Sequence, residues 1–196
     1  MSTTTAVSST CAACGEAASA TLKLQTCKAC RSVAYCGRDC QLAHWRQHKR
    51  RCKEIKAERS AEVAGRMVTA VRSRDLAGLK QLIVSEGEAT VDALDEHGQT
   101  ALLVAAYMGL FDFVVVLADK GANLDLAHED GATPVYMAAQ NGHHEVVRVL
   151  ADKGANLDLA CEDGDTPVFI AAQNGHLETV RVLADKGANL DLATED

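Results

Sequence analysis

The sequence predicts two units of different construction: a small zinc-stabilised finger, then an all-α solenoid of short helix pairs joined by β-turn tips. Three observations lead there. Seven of the eight cysteines crowd into residues 11–52. Gly98, Gly131 and Gly164 recur every 33 residues, as do Thr100, Thr133 and Thr166, and Gly121, Gly154 and Gly187. The formal charge of −7 also divides unevenly: residues 1–60 hold 11 Lys+Arg against 4 Asp+Glu, and residues 61–196 hold 9 against 23, so +7 is followed by −14. With 47% hydrophobic residues, the chain as a whole is too apolar for disorder.

Residues 1–10 are Ser/Thr-rich, with neither a basic n-region nor an apolar h-region, and read as a disordered lead. Without a secretory signal the protein is expected inside the cell, in cytoplasm, nucleus or both. Disulfides are rare there, and seven is an odd number, so these cysteines need another role. Cys11 and Cys14, then Cys27 and Cys30, are pairs with two intervening residues, a spacing that lets a tight turn aim both thiolates at one ion. Cys36 and Cys40, then His48 and Cys52, stand four apart, as neighbours on one face of a helix do. Eight ligands make two closed tetrahedral zinc sites with no position open to water or substrate, so the metal is structural. It replaces a core that Leu22, Leu24, Val33, Tyr35, Leu42 and Trp45 are too few to form; structural zinc contributes about 10–16 kcal/mol in finger peptides. His44, four residues after Cys40, is an alternative ligand.

Taken together, Cys11-x-x-Cys14, Cys27-x-x-Cys30, Tyr35-Cys36, Cys40-Gln41, Trp45, His48-Lys49 and Cys52 resemble the MYND-type zinc finger, over residues 11–52 and with every ligand present. The resemblance implies cross-bracing: Cys11, Cys14, Cys36 and Cys40 on one zinc, Cys27, Cys30, His48 and Cys52 on the other. It also implies binding of short Pro-containing peptides, with Gln41 and Trp45 at positions that commonly face them. Trp suits that task, offering a broad apolar plate and one N–H donor, but a lone Trp could equally pack inward. A RING ubiquitin ligase places its His near the middle of the series, whereas here it is seventh of eight.

The basic cluster Arg46, Lys49, Arg50, Arg51, Lys53, Lys56 and Arg59 raises a second reading, a DNA-associated transcriptional regulator. Three facts disfavour nucleic acid. A helix committed to zinc by His48 and Cys52 is not free to present side chains to bases. Seven thiolates on two Zn²⁺ reduce the local +7 to about +4. The acidic remainder repels phosphate.

No Pro or Gly interrupts residues 41–64, so the ligand-bearing helix is expected to run on as a helical linker over 53–64. Residues 65–97 form a divergent first repeat, in which Ala70, Leu76, Leu79, Leu82 and Ile83 keep helical spacing without a Thr-Pro start. Repeats 98–130, 131–163 and 164–196 follow, the last two differing at only six positions. In 131–163, Thr133 caps a helix, Pro134 takes its first position, and Ala138-Ala139 allow close approach. Asn141-Gly142 ends that helix, and a second over 144–153 is expected to bury Val146, Val149 and Leu150. Residues 155–159 read as strand-like, leading to a turn at Glu162-Asp163-Gly164. The same plan splits the apolar stretch 101–118 at Met108-Gly109 into two short helices, which removes the one candidate membrane span.

Thr-Pro and Ala-Ala at a period of 33 resemble the ankyrin repeat. The resemblance implies an all-α ankyrin-repeat solenoid that binds a protein partner. Leu103, Tyr136 and Phe169 stand where ankyrins often carry His, so apolar packing should replace its hydrogen bonds. The chain stops in phase with a repeat, and the final repeat is expected to expose Val168, Ile170, Val182 and Leu183, as a fragment of a longer array would.

Stacked repeats assemble no deep pocket for a small-molecule substrate; they offer an extended face and a row of turn tips. The tips carry His128, Glu129, Asp130, Glu162, Asp163 and Asp165, which favour a basic or polar partner segment. His143, His144 and His176 stand at helix starts in separate repeats and form no ligand set. The expectation is a non-enzymatic, zinc-binding adaptor for protein contacts. Its enzymatic rival is a histone-lysine methyltransferase fragment, since some of those enzymes carry a MYND finger within a SET domain. The short span between residues 52 and 65 cannot supply such a domain.

Overall fold

The computed structural model describes residues 11–13, 25–27, 33–35, 38–87 and 90–191. The chain divides into two compact units, Met1–Ser60 and Ala61–Asp196. In the first, β1 (Gln25–Thr26) pairs antiparallel with β2 (Ala34–Tyr35), with Gln25 opposite Tyr35 and Thr26 opposite Ala34. Cys11 bridges to Ala34, and the Ala12 N–H donates to the Ala34 carbonyl at 2.9 Å. These few bonds serve to present cysteines. The apolar cluster of this unit consists of Cys11, Cys27, Tyr35 and Cys52, flanked by Ala12, Val33, Cys40 and Ile55.

Helix α1 (Arg38–Arg72) supplies the rest of the finger. Its Lys, Arg, Glu, Ala and Gln content favours helix, with Asp39 in the first turn and Arg72 in the last complementing the dipole. It covers the whole of 53–64. Its later turns belong to the second unit, where Val63, Met67, Val68 and Val71 enter the main core. Arg74 at φ 57° leads out of it, and Asp75 caps α2 (Leu76–Glu86) by accepting from the Gly78 N–H at 2.8 Å. Leu79 and Ile83 are buried as the spacing of the divergent repeat predicts.

Three helix pairs follow: α3 (Ala101–Tyr107) with α4 (Phe111–Asp119), α5 (Pro134–Gln140) with α6 (His144–Asp152), and α7 (Pro167–Gln173) with α8 (Leu177–Asp185). Thr100, Thr133 and Thr166 are buried caps whose hydroxyls accept from Leu103, Tyr136 and Phe169 N–H groups at 3.1, 3.2 and 3.3 Å. Such caps contribute about 1 kcal/mol each. The first helices pack in one row, α3 on α5 on α7, and the second in another, α4 on α6 on α8. Ala105, Ala106, Ala138, Ala139 and Ala171 are fully buried along the first row, where larger side chains would hold the helices apart. Leu103 and Tyr136 are buried and Phe169 half-buried, so apolar packing occupies the positions where His was expected.

Neighbouring repeats are also tied by polar bonds at a fixed step. Asp92, Asp125 and Asp158 accept at 2.8 Å from the Asn123, Asn156 and Asn189 N–H groups. The His143 and His176 Nε2 atoms reach the Tyr107 and Gln140 carbonyls one repeat earlier, each at 3.0 Å. Lys153 pairs with Asp119, and Lys186 with Asp152.

Three expectations need correction. Residues 155–159 form no strand; the tips are turns that meet through single bonds, such as the Glu162 N–H to the Asp130 carbonyl at 2.9 Å, too few for a ladder. In α6 the buried set is Val146, Val147 and Leu150, with Val149 only partly covered, because the helix turns its i, i+1, i+4 edge to the core. In the last repeat Ile170, Val182 and Leu183 are buried, since α7 and α8 cover one another and pack on α5 and α6. Val168 is half-buried, and the exposed apolar residues there are Leu177 and Leu190.

Two stability predictions follow from these contacts. Thr179 replaces the Val146 of the preceding repeat, and its buried hydroxyl has no hydrogen-bond partner among the described residues. Thr179→Val should therefore stabilise the array by about 1 kcal/mol in urea titration. Gly154 and Gly142 both hold positive φ, 90° and 74°, but a Cβ at Gly154 meets open space, whereas one at Gly142 would lie 2.7 Å from the His176 ring. Gly154→Ala should cost about 1 kcal/mol for the backbone alone, and Gly142→Ala roughly 1 kcal/mol more. Equal losses would contradict the role of the imidazole.

Candidate metal centre

The hairpin and α1 bring three donors together from distant parts of the sequence. Cys27 follows β1, and its N–H donates to the Val33 carbonyl at 2.8 Å, which fixes the start of its side chain. His48 and Cys52 project from successive turns of α1. All three residues are buried, and their ligand atoms lie within 4.8 Å of one another. The Cys27 and Cys52 sulfurs are 3.7 Å apart. A zinc with Zn–S of about 2.3 Å and tetrahedral angles separates its sulfurs by roughly 3.8 Å, whereas a disulfide requires about 2.05 Å. The donor set and its spacing thus fit zinc. Burial first, then the charge of His44, hold His48 below the usual histidine range, which favours the neutral imidazole that a metal requires.

His44, the competing ligand, has a different partner. Its Nδ1 lies 3.1 Å from the hydroxyl of the buried Tyr35, and its ring stacks on His48 at a centroid distance of 6.0 Å. The Tyr35 and Trp45 rings also approach His48, at 6.2 and 6.1 Å. Among the described residues, His48 is thus held by aromatic neighbours on several sides. Cys11 and Cys40 belong to the same small apolar cluster, and Cys14, Cys30 and Cys36 lie outside the described residues.

Trp45 is 38% exposed, with the other part of its ring beside His48, and Gln41 is half-buried. Trp45 edges a shallow depression of about 510 Å³ that runs on along α1 past Lys49 and Lys53 to Lys56. In the repeat array, the turn-tip residues Glu129, Asp130, Glu162 and Asp163 are exposed, while His128 and Asp165 are half-buried. Burial alone would raise the Asp130 carboxyl, but the Ala132 N–H it accepts at 2.9 Å and the neighbouring His128 outweigh that and hold it below its ordinary value. His128 Nδ1 lies 3.1 Å from the Asp130 carboxylate.

One surface was missed from sequence. A groove of about 480 Å³ has a floor of Leu103, Val104, Tyr107, Met108 and Met137, with Arg72 and Gln99 bonded to each other at its edge at 2.8 Å. The signal was a departure from the repeat: Tyr107-Met108 stands where the next two repeats carry Gln140-Asn141 and Gln173-Asn174. Among the described residues, no helix is long and apolar enough to cross a membrane.

A Cys/His cluster on a minimal hairpin, followed by helix pairs stacked at a period of 33, defines a zinc finger joined to a helical-repeat array. Comparison with known families makes this specific. The MYND finger matches residues 11–52, a single ankyrin repeat matches 97–129, and a three-copy ankyrin-repeat family matches 121–194. The chain thus carries a MYND finger followed by ankyrin repeats. A 43-residue segment is 44% identical to SET domain-containing protein 14 of Caenorhabditis elegans, a match spanning 22% of this chain and 10% of that protein. With a tenth of its length shared, that protein's whole-chain activity does not transfer.

Cys52→Ala, His48→Ala or metal chelation should each abolish hydrogen-exchange protection in residues 11–52. Amides of α3 to α8 should keep theirs, because the array has its own apolar core. Simultaneous loss of protection in both units would contradict independent sources of stability.

Proposed function

We propose that this protein is a zinc-dependent adaptor with two recognition surfaces. The finger holds two structural zinc ions, one on Cys11, Cys14, Cys36 and Cys40 and the other on Cys27, Cys30, His48 and Cys52. Its peptide surface consists of Gln41 and Trp45 and takes a short Pro-containing segment. The array takes a second protein partner. Its acidic tips, Glu129, Asp130, Glu162, Asp163 and Asp165 with His128, steer a basic segment, while the Tyr107-Met108 floor receives an apolar side chain. Neither surface carries out a reaction. Their joint effect is to bring two partners together on one chain.

The observation that carries the peptide reading is the exposure of Trp45 in a unit otherwise starved of apolar residues. Turning the largest side chain of the finger inward would have enlarged its core, at about 25 cal/mol per Å² buried. Leaving it at the surface forgoes that gain, as recognition residues do. Support for the array comes from two independent features, the row of carboxylates and the apolar groove at Tyr107 and Met108.

Trp45→Ala should weaken binding of a Pro-containing peptide at least tenfold in fluorescence anisotropy, with zinc content and helicity unchanged. Undiminished binding would move the peptide site away from Trp45. Tyr107→Gln restores the residue used by the following repeats. Because Tyr107 is exposed, it should leave the unfolding free energy within about 0.5 kcal/mol of wild type.

A further inference from the structure

The face of α1 that bears Trp45 does not end at Trp45. Leu42, Trp45, Lys49, Lys53 and Lys56 follow the i+3 and i+4 spacing of one helical stripe, with Arg46 along its edge. Leu42 is 60% exposed, and all four cations are exposed. Arg50, which lines the same depression, pairs with Glu54, and Arg51, on another face, pairs with Glu54 and Glu58. Arg46, Lys49, Lys53 and Lys56 have no ion pair among the described residues, although carboxylates on the same helix neutralise their neighbours. The stripe thus changes character along its length, apolar at Leu42 and Trp45 and cationic from Lys49 to Lys56.

Resting on the peptide reading above, we propose that the peptide taken at Trp45 carries an acidic segment next to its Pro-containing part, and that Lys49, Lys53, Lys56 and Arg46 receive it. The dimensions define the ligand. From Trp45 to Lys56 the helix advances about 16 Å at 1.5 Å per residue. An extended strand at roughly 3.3 Å per residue covers that distance in about five residues. The carboxylates thus fall within about five positions of the Pro-containing segment. A duplex nucleic acid fits less well, because the cations form one row flanked by an apolar plate, and the −14 of residues 61–196 opposes a long polyanion.

The test uses the full zinc-loaded chain and labelled peptides with a Pro-Pro-Leu-Pro segment, joined at either end to a short run of Glu or of Gln. In one of the two orders the Glu peptide should bind about tenfold more tightly at low salt, the sum of several exposed charge pairs of modest individual worth. That ratio should fall towards one as salt is added and in the K49Q/K53Q/K56Q variant. Arg51→Gln, on another face, should leave it unchanged. Equal affinities for Glu and Gln peptides in both orders, with binding still lost in Trp45→Ala, would overturn the acidic segment and leave the Trp45 site standing. No binding of any peptide would sink both. Random duplex DNA displacing the Glu peptide at lower concentration than unlabelled peptide would assign the stripe to a phosphate polymer and overturn the proposal.

Discussion

The structure depends on the approach of Cys27, His48 and Cys52. Among the described residues of the finger, Tyr35 is the one large apolar side chain that is buried, too little to hold a two-residue hairpin against a helix. Two sulfurs and an imidazole drawn together in that setting would cost desolvation energy if left to themselves. A divalent cation reverses the sign. It converts the cluster from a polar burden into the main source of stability, and the 3.7 Å sulfur spacing is the distance such an ion imposes. Once the ligands are saturated, Trp45 is released from core duty and can remain at the surface.

The repeat array solves the same problem by other means. Its helices α3 to α8 are seven or nine residues long, too short to be stable alone, so each pair relies on its neighbours. Small residues let the first row close up, buried Thr caps fix the start of each pair, and Asp-to-Asn and His-to-carbonyl bonds set the register from one repeat to the next. The finger is thus stabilised by coordination and the array by stacking. Their contrasting charge, +7 against −14, extends that division to the surfaces they offer.

Much of this was legible in the sequence because periodicity is a direct image of geometry. A period of 33 with Thr-Pro, Ala-Ala and Asn-Gly at fixed offsets placed the helix pairs, whereas spacing left the cysteine grouping open and only the resemblance to the MYND finger put Cys27 with His48 and Cys52. What the sequence hid depends on rotation and on neighbours. Val147 is fully buried while Val149 packs on the core only partly covered, a difference of helix rotation that spacing does not mark. Ile170, Val182 and Leu183 are covered within the last pair, where a count of missing neighbours suggested exposure. The bonds made by His143 and His176 escaped notice because each partner is a backbone carbonyl 36 residues away, and no side-chain pattern marks a carbonyl. His44 was an open alternative until the Tyr35 hydroxyl was found beside it. The groove at Tyr107 was visible only as a break in the repeat.

The most direct test of the whole account is the metal content of the intact chain. Native mass spectrometry should give the mass of the polypeptide plus two zinc ions, with the corresponding cysteine protons lost. A single bound ion, or an ion with a water ligand that exchanges freely, would contradict a finger built on two closed sites and would remove the reason for Trp45 to face solvent.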